Sequence, residues 1–124
     1  MKIDAKSPPR SYVVGREKQI TIQDCGAIAL EPDEQVTFLT AKAGEYDVAR
    51  KDWGFYATPS TNARLSGFGL RTALVKNEQG RFYIMIVEKG HESAFDAYLA
   101  IEANRVVAWL DDEATLAKIE AALA

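Results

Sequence analysis

LRTALVKNEQGRFYIMIVE, residues 70–88, reads as two strands and their connection. Leu70 to Lys76 and Arg81 to Glu88 are the clearest strands in the chain. Asn77-Glu-Gln-Gly80 joins them, and Gly80 offers the positive φ that a longer hairpin loop needs. Phe82 to Val87 is apolar at successive positions, which predicts a central strand covered on both faces. The pair sets an antiparallel sheet as the frame, and the flanking segments are read against it.

Upstream lies KDWGFYATPSTNARL, residues 51–65, where Trp53, Phe55 and Tyr56 sit beside hydrogen-bonding residues. Trp53 to Thr58 suits a strand, with Trp53 to Ala57 buried and organising the sheet; Pro59 ends it because it has no amide hydrogen to give a ladder. Ser60 or Thr61 is placed to cap a short helical turn reaching Leu65. Further upstream, Gln19 to Gln23 alternates with period two, Val36 to Thr40 is β-branched and aromatic, and Tyr46 to Arg50 alternates again. Asp24 to Gly26, Glu31 to Glu34 and Lys42 to Gly44 read as turns. Residues 1–10 are polar and hold Pro8 and Pro9, which predicts a loose arm before a single domain over 11–124.

Downstream of Gly90 the period changes. Phe95, Tyr98, Leu99 and Glu102 follow helical spacing, and Asn104 suits a stop. Arg105 to Leu110 fits a strand by composition or a helix start by position. Asp111 or Asp112 caps a last helix striped by Leu116, Ile119, Ala122 and Leu123. The expected fold is α+β: a mainly antiparallel β-sheet or small barrel followed by two C-terminal helices.

Composition narrows the function classes. Net charge is −3 and no Lys/Arg-rich run occurs, which argues against nucleic acid as a partner. Cys25 is the only cysteine, so no intrachain disulfide forms and a reducing compartment is expected. The first ten residues carry no apolar signal core, and no apolar run approaches the ~20 residues of a membrane helix. The expectation is a cytoplasmic protein with no membrane contact. Walker A and G-x-G-x-x-G patterns are missing, so no cofactor is expected. One His and one Cys leave no metal-ligand spacing.

Catalytic signatures are also missing. His91 and Cys25 show no local pairing signature, and Ser60 is not in a G-x-S-x-G elbow. Glu45 and Asp47 share a strand face as a solvated polar row. The best candidate site is Trp53, Tyr56, Ser60, Asn62, Arg64 and Arg71. The aromatics offer stacking surfaces, Ser60 and Asn62 offer hydrogen bonds, and the two guanidinium groups offer planar forks for an anion. The alternative role for these residues is packing and loop closure.

The segments DCGAIALEPDEQVTF (24–38), WGFYATPS (53–60) and TALV (72–75) together resemble a group of small bacterial proteins associated with surface-polysaccharide gene neighbourhoods. The likeness covers most of 24–110 and implies a carbohydrate or nucleotide-sugar context. No activity is established for the group, so it assigns no catalytic residue. Two functions follow as expectations. One is a non-catalytic accessory or binding domain for a small polar or anionic ligand (a sugar or nucleotide sugar) or a protein partner, a homodimer included. The other is a small acid–base enzyme, an isomerase or lyase on a β-barrel, using Asp47, Tyr56 or His91.

Overall fold

A computed structural model describes all residues, 1–124. The strands are β1 (Lys2–Val14), β2 (Ile20–Ala29), β3 (Gln35–Leu39), β4 (Glu45–Lys51), β5 (Gly54–Ala57), β6 (Leu70–Lys76), β7 (Phe82–Glu88) and β8 (Arg105–Trp109). The helices are α1 (Arg64–Gly67), α2 (Glu92–Glu102) and α3 (Glu113–Leu123). The architecture is α+β, with every strand pairing antiparallel. The strands form three sheets, ordered β1-β2, β3-β4-β5 and β7-β6-β8. They do not close into a barrel.

The ribbon β1-β2 corrects two expectations. Residues 2–10 are not a loose arm but the first nine of the thirteen residues of β1, and Asp24 to Gly26 continues β2 rather than turning. Two prolines in a strand cost ladder donors, and a bulge absorbs that loss. Ala5 pairs with Gly26 and Arg10 with Asp24, so residues 6–9 loop out opposite Cys25. The strands come very close there. A Cβ on Gly26, whose φ is +134°, would sit 2.2 Å from the Asp4 carbonyl oxygen, so only glycine fits.

Asp24 clamps the bulge. Its carboxylate accepts from Lys6 Nζ at 2.6 Å, Arg10 Nε at 3.3 Å and the Gly26 amide at 3.1 Å. These donors, Lys6 foremost, pull its pKa from 3.8 to about 2. A carboxylate depressed on folding stabilises the fold above its unfolded value and loses that contribution as pH falls through the folded one. The ribbon is therefore expected to loosen between pH 3.8 and about 2, and Asp24→Asn to be loose at every pH. Amide chemical shifts of residues 4–7 and 10–12 across an acid titration check this. A wild-type ribbon unchanged down to the lower limit contradicts it.

The third sheet carries the core. Ala73 and Val75 on β6 are fully buried and meet Leu99 of α2, with Phe95, Met85, Val106 and Trp109 around them. The helical spacing of Phe95 and Leu99 is what turns α2 onto this face. Ala103, at φ +55°, ends α2 in the left-handed region. Asp112 caps α3, accepting from the Thr115 amide at 2.9 Å. Arg105–Trp109 resolves as a strand, paired with β6 through a bulge between Leu74 and Val75.

The Phe82–Val87 segment corrects a third expectation. It is an edge strand, not a central one. Tyr83, Met85 and Val87 share the face of Ala73 and Val75, while Phe82, Ile84 and Ile86 share the other with Lys76, Leu74 and Thr72. Phe82 and Ile84 are each 56% exposed.

Candidate functional site

The stretch 51–65 divides where β5 ends. Lys51 pairs with Gly54, so Asp52 and Trp53 form the tip of a hairpin and the strand starts one residue later than its composition predicts. Trp53 is 67% exposed and stacks on Tyr56 at 6.0 Å between ring centres. Phe55 is exposed on the opposite face. The buried, sheet-organising strand expected here is thus an exposed edge strand, because β5 ends its sheet and no further strand or helix packs over it.

The turn after it is anchored from within. The Ser60 hydroxyl accepts from the Arg64 amide at 3.0 Å, and its carbonyl accepts from the Leu65 amide at 3.0 Å. Those bonds seat Leu65, which is 1% exposed. The Arg64 guanidinium lies 5.7 Å from the Phe68 ring centre and 3.5 Å from the Thr58 carbonyl oxygen. Asn62 leaves the turn and donates to Glu113 at 3.0 Å.

Arg71 also reaches the start of α3. Its Nε donates to Asp111 at 2.8 Å, its second guanidinium nitrogen at 3.3 Å, and Glu92 lies 3.7 Å away. The guanidinium carbon sits 3.9 Å from the centre of the Trp109 ring. The Asp111 hydrogen bond holds its pKa above the ordinary arginine range. Asp111, Asp112 and Glu113 make this helix start acidic, so an incoming anion meets repulsion and an arginine already engaged. The six expected site residues therefore occupy separate settings. Trp53 and Tyr56 mark a hairpin tip, Ser60 and Arg64 close a turn, and Asn62 and Arg71 bind α3. None lines the largest cleft.

Of the acid–base candidates, only His91 stands apart. Tyr56 faces Ala49 across β4-β5, on the same side as Asp47, whose carboxylate accepts from Thr37. His91 lies elsewhere, 3.8 Å from Glu88 at the turn into α2. Cys25 is exposed on the ribbon. Lys89 donates to the Ser66 hydroxyl, but Lys89 is solvent-exposed, and a lysine base needs a desolvated setting. No three His, Cys, Asp or Glu side chains gather closely enough to hold a metal.

The largest cleft, about 520 Å³, lies between the tip of the ribbon and the α2 side of the third sheet. Val14 and Ile20 form one wall, and Tyr83, Met85 and Tyr98 the other. Gln79, Glu102 and Asn104 bring polar groups to it. The Arg16 amide donates to Glu102 at 2.8 Å, and the Arg16 guanidinium lies 3.4 Å from Glu78, so the ribbon tip is held across the cleft. The Asn104 amide oxygen is buried and without a partner. Two exposed tyrosine rings beside amides and carboxylates suit a ligand with apolar faces and hydroxyl edges. Glu78 and Glu102 against one arginine disfavour an anion. A second groove of about 270 Å³, lined by Ile28, Val36, Phe38 and Phe55 among others, is almost wholly apolar.

Sequence reasoning missed this cleft because its residues come from three segments, 14–20, 77–85 and 98–104. The available signal was Tyr83 and Tyr98, each the polar-tipped member of an otherwise apolar run.

No helix of the chain is long and apolar enough to cross a membrane. Comparison with protein-family models, with curated proteins and with solved structures gave no match to this chain.

Proposed function

We propose that this chain is a non-catalytic binding domain whose cleft takes a small, neutral, hydroxyl-rich ligand such as a sugar. The observation that carries the reading is the pairing of Tyr83 and Tyr98 with Gln79, Glu102 and Asn104 around a cavity of ligand size. The surface-polysaccharide context implied by residues 24–38, 53–60 and 72–75 agrees with it. Nucleotide sugars fit less well, since their diphosphate would face Glu78 and Glu102. The isomerase or lyase alternative lacks support of this kind, because neither Asp47, Tyr56 nor His91 lines the cleft.

Equilibrium binding of a panel of neutral monosaccharides and disaccharides, with nucleotide sugars alongside, tests the reading. Tyr98→Ala is expected to weaken the best neutral ligand about tenfold or more, the loss of one well-placed aromatic contact. Trp53→Ala, outside the cleft, is expected to leave binding unchanged. Binding that depends on Trp53 and not on Tyr98 would move the site to the hairpin tip. Absence of binding across the panel removes the ligand reading.

A further inference from the structure

The ribbon β1-β2 is held to the rest of the molecule chiefly at its two ends. Along its strands only Ile20 and Asp24 are half-buried, and every other residue is exposed. Asp24 spends its carboxylate inside the ribbon, on Lys6, Arg10 and the Gly26 amide. Ile20 lies at the tip, opposite Val14. Among residues 2–29, Arg16 alone makes a hydrogen bond or ion pair to another part of the chain. Its two partners, Glu102 and Glu78, both line the cleft. A segment with few buried contacts and exposed backbone bonds opens at low free-energy cost.

Such a ribbon is a lever. Its base is fixed, because the turn after Ala29 is pinned to β4: the Asp33 amide donates to the Arg50 carbonyl at 2.7 Å, and the Arg50 amide to the Glu34 carbonyl at 2.9 Å. The ten residues of β2 span about 30 Å from that base to the tip. A tilt of about 10° moves a tip at that distance by about 5 Å. The apolar groove between Ile28 and the ring of Phe38 leaves room for the tilt at the base. The tip, by contrast, is fitted to its seat. A Cβ on Gly15, whose φ is +96°, would lie 3.3 Å from both Glu102 carboxylate oxygens and from Ile20 Cδ1. Glycine there lets the turn come down onto Glu102.

We propose that the ribbon is a hinged lid over the cleft and that Arg16 is its latch. This rests on the reading of the cleft as a sugar site. The tip supplies one wall, Val14 and Ile20, and the third sheet and α2 supply the other, Tyr83, Met85 and Tyr98. Lifting the tip therefore parts the two walls between which the sugar lies. The latch has two strengths. The Arg16 amide donates to a carboxylate, and hydrogen bonds to charged groups are the stronger kind. The Arg16 guanidinium and Glu78 are 54% and 44% exposed, and an exposed pair of this kind adds little. Both contacts sit in reach of water, so the tip closes without being sealed. Lids of this kind gate entry and release.

The experiment measures thiol labelling of Ile20→Cys in a Cys25→Ser background of the full chain. Residue 20 is half-buried under the tip, so its labelling rate reads how often the tip lifts. Arg16→Pro removes both latch contacts and leaves the cleft carboxylates in place. The Lys18 amide donates to the Gly15 carbonyl at 3.0 Å, so Arg16 is the second residue of a turn, where proline is favoured. Arg16→Ala removes the ion pair alone. Arg16→Pro is expected to speed labelling about tenfold, and Arg16→Ala less. The best sugar of the panel is expected to slow labelling of the latched protein and to dissociate about tenfold faster from Arg16→Pro. Equal labelling rates in all three proteins overturn the lid, whether or not a sugar binds. Labelling that follows the latch while no sugar binds supports the lid and removes the sugar reading alone. A bound sugar whose dissociation ignores Arg16→Pro overturns the lid and keeps that reading.

Discussion

Leu65→Ala is expected to lower the free energy of unfolding by about 2–4 kcal/mol, within the range for removing a buried leucine and leaving a cavity. Leu65 is the largest wholly buried side chain, followed by Val75. It joins the turn 58–64 to the third sheet, and the Ser60 carbonyl and hydroxyl hold the backbone that positions it. Domains of this size have roughly 5–15 kcal/mol in all. Here the fully buried core is small, so one cavity is a large share of it. Urea denaturation read by tryptophan fluorescence measures the loss. A shift below about 1 kcal/mol would mean that the site collapses around the missing atoms, and that the turn is less firmly tied than its hydrogen bonds imply.

Arg71→Met is expected to cost about 1.5–3 kcal/mol. Breaking a wholly buried pair costs about 3–5 kcal/mol and an exposed one at most about 1. Arg71 and Asp111 lie between these limits, at 27% and 18% side-chain exposure. Methionine keeps the packing on Trp109 but leaves Asp111 facing it without a counter-charge. Adding Asp111→Leu to the variant is expected to recover most of the loss, because no unpaired charge then remains. The double-mutant cycle measures this coupling directly. Additive losses would show that Arg71 stabilises through its stacking alone. The same pair of variants bears on recognition. If the arginine served an anionic ligand, Arg71→Met would abolish that binding while Asp111→Leu would strengthen it.

Local pattern made much of the fold legible. The alternation of Gln19 to Gln23, the spacing of Phe95 to Glu102 and the Asp112 cap each act within a few residues, and each appears where its pattern puts it. Gly80, at φ +81°, sits in the hairpin loop that joins β6 and β7. The features that escaped notice depend on what lies across from a residue. Pro8 and Pro9 look like loop punctuation until Asp24 is placed opposite them to gather Lys6 and Arg10. Phe82 to Val87 has the composition of an enclosed strand, and composition does not say that β7 ends its sheet. Arg71 reads as a free fork because Asp111 stands 40 residues away. The cleft shares that difficulty, since its walls meet only when the ribbon tip is tied to Glu102.

The order of the sheets has a consequence for how the chain is made. The first holds strands one and two, the second strands three to five, and the third the remainder. No sheet waits for a strand from an earlier or later one. Emerging from the ribosome amino end first, the ribbon and the second sheet can each pair as soon as their own segments are free. The third cannot finish early, because β6 needs β8 and Ala73 pairs with Trp109. Its core is therefore completed after the ribbon and the second sheet, and β7 waits for α2 to cover the face that carries Met85.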